Sequence, residues 1–350
     1  MGVPGWTLAA ARHLAWTMGL FGAIGVEAHH SYAEFDGTQT VEIEGTLVAL
    51  AWQNPHTRME VRVLDSSKAV IVWDIETGSV NSMRRQGAPL DAFKVGEVVK
   101  IAGWPSKRTV DRLYATNVLG SGHELMFQTA TPRWPGAATY REGFTSAPTA
   151  PAAGSTPTLF RVWVSDPRVD PDTRPGFLSR VQVSLTPAAQ QAVAAFDPVT
   201  QSAAAGCNPK GMPLLMGQPF PIEFVKQGDV ILLRLEEYDA VRTIHTADAP
   251  PPASLPHSVL GYSVGRWERN TLVVETDRID TPYFNSAGVP LSRAAHTLER
   301  FTVSDDGRRL SYTLSVTDPE TFTEPVRANR AWLARDGEQL LPFDCKAPRF

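Results

Sequence analysis

Apolar and polar residues alternate through much of this chain. Across residues 57–64, Met59, Val61 and Val63 fall on one side and Arg58, Glu60 and Arg62 on the other. A period of two is the mark of a strand with one buried face. Residues 41–50 alternate around Gly45, as in a long bent strand. Residues 70–75, 95–103 and 113–119 read as further strands, with Asp65-Ser-Ser-Lys68 as a hairpin turn. Residues 79–87 read as a short helix, with Ser79 as N-cap and Gly87 past its end. Three strands, a helix and two strands is the order of an OB-fold, a small Greek-key barrel.

The rhythm stops over residues 129–158, where Pro132, Pro135, Pro148, Pro151 and Pro157 sit among Ala, Thr, Ser and Gly. That composition predicts a linker. Beyond it come a strand at 159–164, a helix at 186–196 with Pro187 in its first turn, and an irregular loop at 206–213. Strand patterns then follow in series at 222–226, 230–236, 241–246, 261–267, 271–276, 297–303, 310–316 and 327–333. Short strands separated by turn residues predict an antiparallel β-barrel or curled sheet, a lipocalin-like cup. The chain is therefore expected to be all-β with few helices: an OB-fold-like domain at 29–128 and an antiparallel β-domain at 159–350.

Residues 1–28 stand apart. Arg12 precedes an apolar run from Leu14 to Val26, and Val26-Glu27-Ala28 fits a small-residue cleavage site. The run is shorter than the ~20 residues needed to cross a bilayer core. It reads as a secretory signal peptide cut after Ala28, which places the mature chain in the periplasm or outside the cell, with no transmembrane segment. Of the 350 residues, 33 are Lys or Arg and 37 are Asp or Glu, a net charge of −4. That balance disfavours a nucleic-acid partner, which needs a basic face. The 2 cysteines, Cys207 and Cys345, exclude a Cys₄ zinc site and allow one disulfide in an oxidising compartment.

The segment His29-His-Ser-Tyr-Ala-Glu-Phe-Asp36, with Glu44-Gly-Thr46, Trp52-Gln-Asn-Pro-His56 and Gly96-Glu-Val-Val99, resembles an exported bacterial domain family of unknown function, DUF6152. The resemblance covers residues 29–128 and implies export and a small β-barrel, with no established reaction. The C-terminal half resembles uncharacterised exported bacterial β-proteins. That likeness rests on Gly211-Met-Pro213, Pro221-Ile-Glu-Phe224, Gly265-Arg-Trp-Glu268, Thr271-Leu-Val-Val-Glu-Thr276, His296, Glu299-Arg-Phe301 and Pro342-Phe-Asp-Cys345.

Three groups of residues carry candidate chemistry. Cleavage after Ala28 would leave His29 with a free amine beside its imidazole. Together with His30 and His56 this is a nitrogen donor set suited to copper(II). The competing reading is a solvated terminus that binds copper adventitiously, with His56 bonded across its own turn. In the second half, His245, His296 and Glu299 are candidates for acid–base work, because histidine titrates near working pH and a carboxylate fixes its tautomer. Tyr238, Arg242, Tyr262, Trp267 and Arg300 are candidates for holding a ligand. Against both stands a buried polar cluster that fixes strand register.

Gly261-Tyr-Ser-Val-Gly265 carries Ser263 in a Gly-x-Ser-x-Gly pattern but reads as strand rather than as a strand-to-helix elbow, and no phosphate loop or His-Glu-x-x-His occurs, which disfavours hydrolase, nucleotide and zinc-protease chemistry. Three readings remain. One is a periplasmic binding protein with copper at the N-terminus and a small apolar ligand in the barrel. Another is a cofactor-independent isomerase or lyase acting on a hydrophobic small molecule. The third is an envelope interaction module.

Overall fold

The computed structural model describes residues 34–127, 130–140, 157–167, 169–201, 207, 209–247 and 252–346. The segment that reads as a signal peptide, residues 1–28, and His29 and His30 lie outside the described residues.

The first barrel is built from β1 (Val41–Ala51), β2 (Arg58–Leu64), β3 (Val70–Glu76), β4 (Val98–Pro105) and β5 (Arg112–Gly120). They pair in the ring order β3-β2-β1-β4-β5, closed by β3 against β5. Going round a ring with every joint antiparallel reverses direction at each step, so an odd ring cannot close that way. One joint must be parallel, and it is β3–β5, pairing Asp74 with Arg112 and Glu76 with Tyr114. The inward side of the alternation fills the centre: Leu47, Met59, Val61, Ile75, Val99, Ile101 and Leu113 are fully buried. Gly45 is required where β1 meets β2, since a Cβ there would lie 2.3 Å from the Arg62 carbonyl oxygen. Helix α1 (Val80–Arg85) follows β3; the Ser79 side chain accepts from the Ser82 N–H, and Met83 is buried.

Part of the stretch read as linker belongs to this barrel. Strand β6 (His123–Met126) extends the sheet from β5, and β7 (Ala138–Thr139) pairs with β6 in parallel. The cause is Glu124, fully buried, whose carboxylate accepts from the Arg133 and Trp134 backbone N–H groups and from Asn117 Nδ2. Composition alone could not reveal an anchor that lies before the proline-rich stretch.

The second barrel contains β8 (Val162–Val164), β9 (Ile222–Gln227), β10 (Val230–Leu235), β11 (Ala240–His245), β12 (Tyr262–Glu268), β13 (Thr271–Asp277), β14 (His296–Val303), β15 (Arg309–Thr317) and β16 (Val326–Ala334). These strands form a closed barrel in chain order, with β16 returning to β8. The parity rule applies again, and the parallel joint is β11–β12, through Ile244–Ser263 and His245–Val264. Helix α2 (Pro187–Ala195) lies outside the ring, N-capped by Thr186.

The expected cup is a filled barrel. Trp163, Phe224, Leu233, Phe301, Tyr312 and Trp332 occupy its interior, each at most 1% exposed. Beside Leu215, Phe220 and Glu237 a void of only about 10 Å³ remains, room for about one water. Small closed barrels are normally plugged in this way by their own side chains.

The two barrels share a seam built around the chain's tail. Cys207 is bonded to Cys345, with Cα atoms 5.7 Å apart. Arg85, on α1, donates to Glu236 and to Glu338, and Asn81 Nδ2 donates to Glu236 Oε1 at 3.1 Å. The Leu341 N–H donates to Glu236 Oε2 at 2.8 Å.

Candidate functional site

The polar residues inside the second barrel satisfy one another. Arg242 Nη1 donates to Glu299 Oε1 at 3.0 Å, and Arg242 Nη2 donates to Glu299 Oε2. Arg242 Nε reaches Ser263 Oγ at 2.9 Å and Nη2 reaches Thr276 Oγ1 at 2.6 Å. The Tyr312 hydroxyl donates to Glu299 Oε1 at 2.8 Å. Burial, and then the Glu299 charge, hold the Tyr312 hydroxyl well above the usual phenol range, so it stays a donor. A matched pair with its remaining groups bonded is a structural device, and nothing in it is left to act on a ligand.

The outer wall differs. Between β8 and α2 the chain crosses β16 as two short 3-10 turns, Pro171–Thr173 and Phe177–Arg180. They and β16 enclose a groove of about 450 Å³, lined by Asp172, Arg174, Phe177, Arg180, Val181 and Arg327, with Pro171, Ala328 and Asn329. Alternation along β16 decides its chemistry: Arg327 and Asn329 are exposed while Ala328 and Arg330 are buried. Asp172 is held by Arg309 Nη2 at 2.6 Å. Among the described residues, Arg180 donates to the carbonyls of Pro175 and Arg174. Burial, then repulsion from Arg174, pull the Arg180 guanidinium below its ordinary range. Among the described residues, the guanidiniums of Arg174 and Arg327 have no carboxylate or hydrogen-bond partner.

A fourth arginine lies behind this wall. Arg330 is 3% exposed and stands over the Trp332 ring at 4.5 Å. It donates to the Met216 and Gln218 carbonyls and to Ser165 Oγ, and among the described residues it has no carboxylate partner and its Nε is unbonded. Burial above all pushes it down to about 9, opposed by Tyr312 and reinforced by Arg180. Cationic charge is thus concentrated here, Arg174, Arg180, Arg327 and Arg330 against Asp172, which Arg309 already holds, in a chain that is net negative.

At the seam, the Trp52–His56 turn packs under the tail. His56 Nδ1 lies 2.8 Å from the Thr77 carbonyl oxygen and 3.5 Å from Glu76 Oε1, a setting that favours the proton on Nδ1. Lys210 Nζ donates to Glu237 Oε1 at 2.8 Å, while Glu237 Oε2 has no partner. Burial raises the Glu237 carboxyl above its usual range, with Lys210 and then His56 pulling the other way. Tyr238 OH is also buried without a partner.

Residues 20–112 match a family of unknown function, DUF6152. The DUF6152 match thus takes in β1 to β4, helix α1 and the Asn-Pro-His turn, and ends at the first residue of β5. No curated protein matches the chain. Among solved structures, the S. pombe Stn1–Ten1 complex is similar at 15% identity, over 23% of this chain and 57% of that one, with a TM-score of 0.19. The match therefore spans little more than half the length of the Stn1–Ten1 chain. The N-terminal domain of PriB from Thermoanaerobacter tencongensis is similar at 18% identity, over 24% of this chain and 96% of that one, with a TM-score of 0.19.

The structure separates the residues singled out for acid–base work. Glu299 points into the barrel, whereas His245 and His296 lie on its outside. His245 stacks on Tyr262 with ring centroids 4.6 Å apart, and His296 Nδ1 meets Asp277 Oδ1 at 2.9 Å. The reason is parity along β14, since His296 and Glu299 are an odd number of positions apart and must face opposite ways. Of the proposed ligand contacts, Arg242 is the interior partner of Glu299 and Tyr238 lies at the seam against Phe343. Arg300 pairs with Glu268 on the outer surface, and Trp267 is exposed beside Phe160. These side chains do not converge. Of the copper set, His56 lies beneath the seam, and no group of three or more metal-ligating residues occurs among the described residues.

The groove residues Arg174, Arg180 and Arg327 carried no signal in the sequence. Arg174 and Arg180 sit in a turn-rich stretch, and only barrel closure brings Arg327 beside them.

Proposed function

We propose that this chain is an exported binding protein for a small amphipathic anion, held in the arginine groove on the outside of the second barrel. The observation that carries this reading is the groove itself. Three guanidiniums line about 450 Å³, two of them without a partner among the described residues, beside half-buried Val181 and the edges of the buried Phe177 and Ala328. Guanidinium forks match carboxylate, sulfonate and phosphate oxygens, and an apolar wall takes the body of such a ligand. Binding would also relieve the repulsion between Arg174 and Arg180 and the uncompensated charge of Arg330. The apolar segment from Leu14 to Val26 supports export. The enzyme reading has less behind it, because both candidate histidines face away from Glu299.

Calorimetric titration with 2-naphthoate and its neutral analogue 2-naphthalenemethanol tests the reading. The anion is expected to bind one to one, at least about tenfold tighter than the alcohol, and to weaken as salt rises. The double variant Arg174→Ser, Arg327→Ser is expected to lose roughly 10- to 100-fold in affinity, the cost of two charge-assisted contacts. Its melting temperature should hardly move, since neither side chain has a partner to lose. Equal binding of the two probes, or unchanged affinity in the variant, would sink the proposal.

A further inference from the structure

Asn54, in the Asn-Pro-His turn, bonds a segment from the far end of the chain through its amide nitrogen and its carbonyl. Asn54 Nδ2 donates to the Phe343 carbonyl, and the Lys346 N–H donates to the Asn54 carbonyl at 3.0 Å. Asn54 and Cys345 form a parallel bridge. Asn81 Nδ2 donates to the Pro342 carbonyl at 3.2 Å, while the Asn81 N–H donates to Asn54 Oδ1 at 3.3 Å and sets that amide's orientation. These contacts read backbone, as a sheet edge reads an added strand. The opposite wall reads one side chain. Phe343 is fully buried against Phe220 and Tyr238, with ring centroids 5.1 and 5.0 Å away, and its N–H donates to the Asp239 carboxylate.

Three features mark this slot as a recognition site rather than only a packed terminus. The matched family segment ends at residue 112, yet the side-chain amides of its Asn54 and Asn81 donate to residues 342–346, which lie outside that segment. The occupant is held by a covalent clip, Cys207–Cys345, as well as by its hydrogen bonds. Buried polar atoms at the same seam, Tyr238 OH and Glu237 Oε2, find no partner among the described residues with residues 342–346 in place. A slot shaped only for its resident would be expected to satisfy them.

We infer that the seam is a binding slot for an extended peptide carrying a buried phenylalanine, occupied in cis by residues 342–346 and kept shut by the disulfide. Asn54 and Asn81 clamp the backbone of the guest, and Phe220 and Tyr238 form its aromatic pocket. The partner is a polypeptide segment in extended form, one Phe flanked by residues whose main chain is free to bond. The slot is independent of the arginine groove and neither assignment needs the other.

The test uses the full chain with both cysteines replaced, Cys207→Ser and Cys345→Ser, and a fluorescein-labelled peptide of residues 338–346 carrying serine for Cys345. In anisotropy titrations the replaced chain is expected to bind the peptide saturably, and the disulfide-bonded chain at least about tenfold more weakly. Adding Asn54→Ala to the replaced chain should cost at least about tenfold. A scrambled peptide binding equally well, or no binding by the replaced chain, overturns the inference. Should the replaced chain fail to fold, Asn54→Ala in the disulfide-bonded chain decides the matter by hydrogen exchange. Faster exchange at Phe343 and Lys346 is expected, and unchanged exchange refutes the clamp.

Discussion

Replacing Arg242 by leucine is expected to remove about 3–5 kcal/mol of stability. The side chain is 1% exposed, and its loss strands the Glu299 carboxylate, itself fully buried, with Tyr312 as its remaining partner. Ser263 and Thr276 also lose a shared donor. For a domain of this size the melting temperature should fall by about 10 °C. The double variant Arg242→Leu, Glu299→Leu should recover most of the loss, because removing both charges also removes their desolvation. Urea unfolding of the two single variants and the double variant forms a closed cycle. A single variant as stable as the parent would show that the pair is not matched inside the barrel.

Breaking the Cys207–Cys345 bond is expected to cost about 4–5 kcal/mol in the loop-entropy account. The bond closes a loop with a sequence separation of 138, so the unfolded chain gains much freedom when it is cut. It also fastens the segment that both barrels share. With the bond intact the barrels should melt in one transition. In the chain with both cysteines replaced by serine, the first barrel should melt separately and at lower temperature, since the contacts left at the seam are those of Asn54, Asn81 and Arg85, with the exposed Arg108–Asp197 pair away from it. Calorimetry of the two chains distinguishes these outcomes. A single transition shifted by less than about 2 °C would mean that the seam does not depend on the clip.

Much of the architecture was legible in residue order. The alternation of Met59, Val61 and Val63 located β2, and Ser79 with Gly87 bracketed α1. In the second half, each run of period two corresponds to a strand, because every wall of a filled barrel has one buried face. Which face points inward was only half legible. The sequence separates His296 and Arg300 from Glu299 by parity but does not say which set lies inside; the structure puts Glu299 there, opposite Arg242. An interior charge pair imitates a ligand-facing cluster at the level of sequence, and that is why Arg242 and Glu299 read as site residues.

What stayed hidden depends on distant segments meeting. Glu124 captures Arg133 and Trp134 through backbone groups, which leave no mark in composition. Arg327 joins Arg174 and Arg180 only through closure of β16 onto β8. The role of Asn54 as a clamp needs residues 342–346 at its side, and no local pattern announces them.

The most direct measurement is a crystal structure of the full chain soaked with 6-bromo-2-naphthoate, read by the anomalous signal of bromine. The groove assignment predicts a bromine peak over the wall formed by Phe177, Val181 and Ala328, with the carboxylate between Arg174, Arg180 and Arg327. A peak inside the second barrel or at the seam, or no peak at a concentration that saturates the protein in solution, would contradict it.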